Sequence, residues 1–104
     1  MAKCKIEGGI CGFITTVEAQ QAGKRSIRLK ITSDCPNVKK LAEEFVEVDP
    51  LDEIAKRATA TKTYEMASKH CPHPSCIVPS GIIKAIEVAA GFALPKDAVI
   101  KIEK

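Results

Sequence analysis

Arg25-Ser26-Ile27-Arg28-Leu29-Lys30-Ile31-Thr32 alternates polar and apolar residues without a break. Ile27, Leu29 and Ile31 would point one way and Arg28, Lys30 and Thr32 the other, which is the period-two signature of a half-buried strand. Upstream, Ile10 to Ala19 is rich in Ile, Phe, Thr and Val and reads as another strand. Gln20 to Lys24, with Gly23, supplies the turn, so the two strands form a hairpin. Pairing about Gly23 sets Ala19 opposite Ile27, Val17 opposite Leu29 and Thr15 opposite Ile31. The same register, extended, brings Phe13 opposite Ser33 and Cys11 opposite Cys35, with both cysteines on the buried face. A slip of one residue would undo that meeting.

Outward from the hairpin, Lys3 to Glu7 alternates as well, with Cys4 and Ile6 on one side, and Gly8-Gly9 breaks it. After Cys35 a helix begins, because Pro36 suits the first helical position, where its missing N–H costs nothing. Val38, Leu41, Ala42 and Phe45 form its apolar stripe, while Lys39, Lys40, Glu43 and Glu44 face water. Asp49 caps a second helix containing Pro50 and burying Leu51, Ile54, Ala55 and Ala58. Thr63 caps a short helix running to about Lys69, with a short strand as the alternative. Cys71 to Pro79 carries too many prolines for regular structure and is a stiff loop. Ser80 caps a buried helix over 81–90 (Ile82, Ile83, Ala85, Ile86, Ala89, Ala90), which Gly91 stops. Pro95 to Asp97 turns the chain into a final strand over 98–102, with Ile100 and Ile102 inward. The result is an α+β fold with a small mixed or antiparallel sheet, an N-terminal hairpin plus a C-terminal strand, packed on three to four helices.

The 104 residues suffice for a single domain spanning 1–104 with a true core, and with 45% apolar residues it should fold without disulfide staples. Only Phe13, Phe45, Tyr64 and Phe92 are aromatic, so the core is aliphatic. A net charge of +3 from 16 basic and 13 acidic residues is too balanced for a nucleic-acid surface, and few rings are on hand to stack on bases. The N-terminus lacks the apolar segment of a signal peptide. The longest apolar run, Val88 to Leu94, is far short of the roughly 20 residues that cross a bilayer. These features read as cytoplasmic, with no membrane or nucleic-acid partner. In a reducing compartment, five cysteines point to a metal or redox site rather than to a disulfide framework.

Four of the five are placed for such a site: Cys11, Cys35, Cys71 and Cys76. Cys11 and Cys35 would share the open end of the hairpin, and Cys71 and Cys76 lie on the proline-stiffened loop His70-Cys71-Pro72-His73-Pro74-Ser75-Cys76. Four thiolates complete a tetrahedral zinc site or hold an iron–sulfur cluster. Cys35 would sit at a helix N-cap, where the macrodipole and free N–H groups favour a negative sulfur. Cys35 and Cys71 each precede a proline, a step that recurs around iron–sulfur ligands. The bland alternative is that these are small hydrophobes of the core, the favoured reading for Cys4 beside Ile6. His70 and His73 could replace a thiolate or donate hydrogen bonds behind one, though loop histidines are most often simply solvated. Val78-Pro79-Ser80-Gly81 could offer N–H groups to a phosphate near Lys84, but Ser80 as an ordinary cap explains the same residues. No general base, nucleophile and orienting acid stand at useful spacing, so a hydrolytic enzyme is not expected.

The blocks Ile10-Cys11-Gly12-Phe13, Ser33-Asp34-Cys35-Pro36 and His70-Cys71-Pro72-His73-Pro74-Ser75-Cys76 through Ile83 resemble a family of small uncharacterised cysteine-containing proteins of anaerobic prokaryotes. That family brings no activity to transfer. Cys71-Pro72-His73-Pro74 is also similar to the Cys-Pro-x-Pro motif of TusA-type sulfur carriers, whose cysteine carries a persulfide at the start of a helix after the first strand. Here the motif comes late in the chain and a second cysteine follows it.

The leading expectation is a small metal-binding protein using Cys11, Cys35, Cys71 and Cys76. An iron–sulfur cluster would make it an electron-transfer or sensing module; zinc held by four thiolates would be structural. One alternative is a sulfur-carrier or thiol-redox protein using Cys71 with Cys76 or Cys35. The other is an interaction domain with core cysteines. An unidentified protein partner is expected, and a homodimer stays open.

Overall fold

A computed structural model describes residues 1–104. Four antiparallel strands run in the order β1-β2-β3-β4: β1 (Ala2–Glu7), β2 (Ile14–Gly23), β3 (Ser26–Ser33) and β4 (Glu47–Val48). The helices are α1 (Pro36–Glu44), α2 (Pro50–Ile54), α3 (Lys62–His70) and α4 (Val78–Ala89), with one 3-10 turn over Ala58–Ala60. This is an α+β fold with the helices gathered against one face of the sheet.

The alternation in β3 holds, with Ile27 and Leu29 buried and Arg28 and Lys30 exposed. The hairpin register differs from the one expected. Ala19 faces Leu29, Val17 faces Ile31 and Thr15 faces Ser33, a displacement of two residues. The cause lies in the turn. It is the two-residue link Lys24-Arg25, and the ladder is irregular between Gln21 and Gly23. A displacement of two keeps every side chain on its expected face. It does, however, remove Cys11 from its place opposite Cys35, and β2 begins only at Ile14, so Cys11 lies outside the ladder. Rows across the sheet read Ala2–Ala19–Leu29, Cys4–Val17–Ile31 and Ile6–Thr15–Ser33, and they form the floor of the core.

Onto that floor α1 lays Val38, Leu41 and the following Phe45, as its periodicity implies. α4 is the central helix, burying Val78, Pro79, Gly81, Ile82, Ala85 and Ile86. It starts earlier than the expected Ser80 cap, with Ile77 as N-cap and Pro79 in its first turn. Ser80 is therefore inside the helix, and its hydroxyl pairs with that of Tyr64 at 3.0 Å. Gly81 lets α4 press directly on β1, since a Cβ there would stand 2.3 Å from Ile6 Cδ1. Gly91, at φ +83°, ends the segment in a conformation that favours glycine.

Three other expectations fail. α2 does begin at Pro50 after the Asp49 cap, but it stops at Ile54, and Leu51, Ala55 and Ala58 are exposed. Its buried residues are Pro50 and Glu53. Glu53 is drawn in because its carboxylate accepts from Thr63 N (2.7 Å), Thr63 Oγ1 (2.6 Å) and Lys62 N (3.2 Å), filling vacancies at the N-terminus of α3. The cap of α3 is Thr61, two residues before the expected Thr63. The final strand over 98–102 is also absent, and Val99, Ile100 and Ile102 are exposed. No helix is long and apolar enough to cross a membrane.

Candidate thiol site

The hydroxyl pair at one end of the sheet organises the neighbourhood of Cys35. Thr15 Oγ1 donates to Ser33 Oγ at 2.8 Å, and Ser33 Oγ accepts from Cys35 N at 3.1 Å. Cys35 is the N-cap of α1 in extended conformation, as its sequence context implies, and its side chain makes no capping bond. The sulfur is thus left for other contacts. It is half-buried against the core.

Cys71 arrives from a different element. It is the C-cap of α3, its N–H bonded to Ala67 O at 2.7 Å. The chain then turns through Pro72 to Ser75, closed by Cys76 N donating to His73 O at 3.1 Å. This proline turn carries Cys76 back towards the core, so Cys71 and Cys76 are both half-buried while His73 is exposed. Between α3 and this loop lies an open groove of ≈ 340 Å³, whose lining includes Tyr64, Ala67, Cys71, His73, Cys76 and Pro79.

Cys71 stands within reach of the charges of the other two. The Cys71 thiol is pushed up to about 11 from 9.0, mostly by burial, with the negative forms of Cys76 and Cys35 and then a hydrogen bond with Cys76 acting in the same direction. Cys35, Cys71 and Cys76 therefore share one small region, although they come from the start of α1, the end of α3 and the approach to α4. No three His, Cys, Asp or Glu side chains stand grouped as a metal ion would need them in this arrangement.

Cys11 stands apart from the trio. It is exposed on the loop between β1 and β2, held by Gly8 N to Phe13 O and Gly12 N to Gly9 O, both 3.0 Å. Its sulfur folds back on Gly8. Gly9 and Gly12 adopt φ +88° and +75°, so the loop depends on residues that tolerate that conformation. The loop nonetheless belongs to the same end of the sheet as Cys35, because Ile6, Thr15 and Ser33 form one row there.

The remaining candidates have other occupations. His70 Nε2 pairs with Glu44 Oε2 at 2.6 Å and Lys69 Nζ with Glu44 Oε1 at 2.7 Å, tying α3 to α1. Those two hydrogen bonds, Lys69 first, hold the Glu44 carboxyl below the usual carboxylate range. Cys4 is half-buried in β1 under Gly81. Burial raises its thiol, the charge of Asp97 adds to this, and Lys84 opposes it. Sequence reasoning missed the pairing of Tyr64 with Ser80 and the burial of Glu53, since neither has a local pattern to mark it.

Residues 2–102 match a family of unknown function (DUF6951), and the chain belongs to that family. No curated protein and no solved structure matches it.

Proposed function

We propose that this protein holds a metal centre through thiolates: Cys35, Cys71 and Cys76 from the trio, with Cys11 supplied by the glycine-rich loop as the fourth. The observation that carries this reading is the convergence of three half-buried cysteines from separate elements, close enough that each disfavours negative charge on Cys71. Thiolates packed in this way repel one another, and a bound cation reverses that repulsion into attraction. Cysteines that merely filled the core would gain nothing from sitting together.

Binding would draw the sulfurs inward and bring the Cys11 loop over them, a movement that its glycines allow. The donor set is all sulfur and leaves no open coordination position, which suits an iron–sulfur cluster or a structural zinc rather than a catalytic metal. With a cluster the chain would serve in electron transfer or sensing in a reducing compartment such as the cytoplasm. Variants test the ligand set. Cys35→Ala, Cys71→Ala and Cys76→Ala should each abolish stoichiometric binding, Cys11→Ala should weaken it, and Cys4→Ala should leave it intact. Retention of full binding by Cys71→Ala would refute the proposal.

A second reading has one observation in its favour. Cys71 and Cys76 stand at the two ends of one proline turn and line the same groove, the placement a shared disulfide would need. In that case a partner disulfide would exchange with the pair, oxidising both thiols and leaving the partner reduced. The similarity of Cys71-Pro72-His73-Pro74 to sulfur carriers adds little, because a carrier cysteine needs ready thiolate character and Cys71 is pushed the other way.

A further inference from the structure

Taking Cys35, Cys71 and Cys76 as the thiolate ligands proposed above, we infer that His73 is a second, exchangeable occupant of the fourth position. It holds that position while the Cys11 loop stands away and yields it when the loop closes. The two histidines beside the thiols differ in what they can do. His70 is half-buried at the end of α3 and committed to Glu44, with Nε2 2.6 Å from Oε2. His73 is exposed, and its imidazole enters no side-chain hydrogen bond or ion pair. Imidazole is an ordinary ligand for zinc, at about 2.0–2.1 Å, and replaces thiolate on one iron of some clusters.

The turn places His73 beside two of the sulfurs. Cys76 N donates to His73 O at 3.1 Å, which closes a β-turn over His73-Pro74-Ser75-Cys76. Such a turn holds its end Cα atoms within about 7 Å, and Pro74 at its second position fixes φ there. Cys71 lies two residues before His73, and all three line the same groove of ≈ 340 Å³. Sulfur and nitrogen bound to one tetrahedral ion stand about 3.6 Å apart, which side-chain rotation alone can reach across a closed turn. Turning the imidazole towards the sulfurs breaks no hydrogen bond and costs a rotamer change.

Cys11 is the opposite case. Thiolate is the softer and stronger donor for zinc or a cluster iron. Its sulfur, however, is carried on an exposed loop closed at the neck by Gly8 N donating to Phe13 O at 3.0 Å. Cys11 therefore reaches the other thiols only if the loop swings over as a unit. The better ligand needs the larger movement, and the poorer one already lines the groove. In the exchange Cys11 gives its proton to solvent, a metal–sulfur bond forms and the metal–nitrogen bond breaks, with no change of oxidation state. Four ligands are kept throughout, so the loop can open without releasing the ion.

The test is anaerobic cobalt(II) titration of the full chain, because the cobalt spectrum separates four sulfurs from three sulfurs and a nitrogen. Wild-type protein should give the four-thiolate spectrum. Cys11→Ala should still bind one tetrahedral ion, with sulfur-to-metal charge-transfer intensity lower by about a quarter, one thiolate in four. Adding His73→Ala should weaken binding about tenfold or more, and adding His73→Cys instead should restore the four-thiolate intensity. Both positions are exposed, so far-UV circular dichroism should not change. A second readout uses the zinc-loaded protein: iodoacetamide should label Cys11 without releasing zinc from the wild-type chain, but should release it from His73→Ala. If Cys11→Ala/His73→Ala binds cobalt as tightly as Cys11→Ala with the same spectrum, the inference is overturned while the three-thiolate reading stands. Zinc loss on labelling that ignores His73 overturns it equally. A wild-type chain that binds no cobalt overturns both.

Discussion

Without metal, Cys71 should be one of the least reactive cysteines in the protein. Its thiol titrates at about 11 rather than 9.0, so at neutral pH its thiolate fraction, and with it the rate of alkylation, falls about a hundredfold below that of an ordinary cysteine. The assay is mass-resolved iodoacetamide labelling of metal-free protein across the alkaline range, with a cysteine peptide as reference. Replacing Cys76 by Ala removes one charge and the hydrogen bond but leaves the burial, which is the largest cause. The midpoint should therefore fall only part of the way to its ordinary value. The stability consequence has a definite sign. The folded chain holds this proton more tightly than the unfolded chain, so the contribution is complete below pH 9 and is lost as pH rises through about 11. Half-exposed Cys71, screened by solvent, should contribute about 1 kcal/mol, well below what a fully buried group displaced this far would give. Labelling of Cys71 at neutral pH as fast as the peptide would refute the electrostatic picture and favour the sulfur-carrier reading.

The fold offers further tests. Gly81→Ala drives a methyl group to 2.3 Å from Ile6 Cδ1 and 2.6 Å from Ile6 Cγ1 in a closed part of the core, and should cost about 1–3 kcal/mol in urea unfolding. Adding Ile6→Val, which removes Cδ1, should recover part of that loss; simple additivity would show that the contact is not the cause. Glu53→Ala strands the buried N–H and hydroxyl of Thr63 and should cost about 1–3 kcal/mol, with faster amide exchange at the start of α3. Unchanged exchange there would contradict its role at that helix terminus.

The sequence announces structure where one residue's neighbours settle its fate. Alternation over Ile27, Leu29 and Ile31 and the stripe Val38, Leu41, Phe45 need no distant partner to be read, and both hold. The same logic fails where the partner is remote. Residues 100–103 alternate as a strand does, but 98–102 enter no ladder of their own chain. Glu53 displaces Leu51 and Ala55 from the buried side of α2 because α3 presents it with N–H groups, a tertiary fact that no period records. Two-residue β4, tied on by Leu29 N to Val46 O at 2.8 Å and by Ser26 Oγ donating to Glu47, is too short to show any period.

The candidate site divides along the same line. Cys35 at a helix cap and Cys71 and Cys76 on a stiff loop follow from local chemistry, and their gathering rests on the sheet end and α3. The approach of Cys11 depended on counting a ladder from its turn. That count shifted by two when the turn fell at Lys24-Arg25, so Cys11 leaves the ladder and stands on its loop, apart from the other three.

Metal and acid-labile sulfide content of protein isolated without oxygen, read together with its visible absorption, tests the thiolate centre most directly. The account predicts either iron with matching sulfide and a broad brown band, or one zinc per colourless chain, and in both cases loss of the metal when Cys71 is replaced. A metal-free chain that takes up neither, with Cys35, Cys71 and Cys76 freely titratable in the folded state, would contradict it.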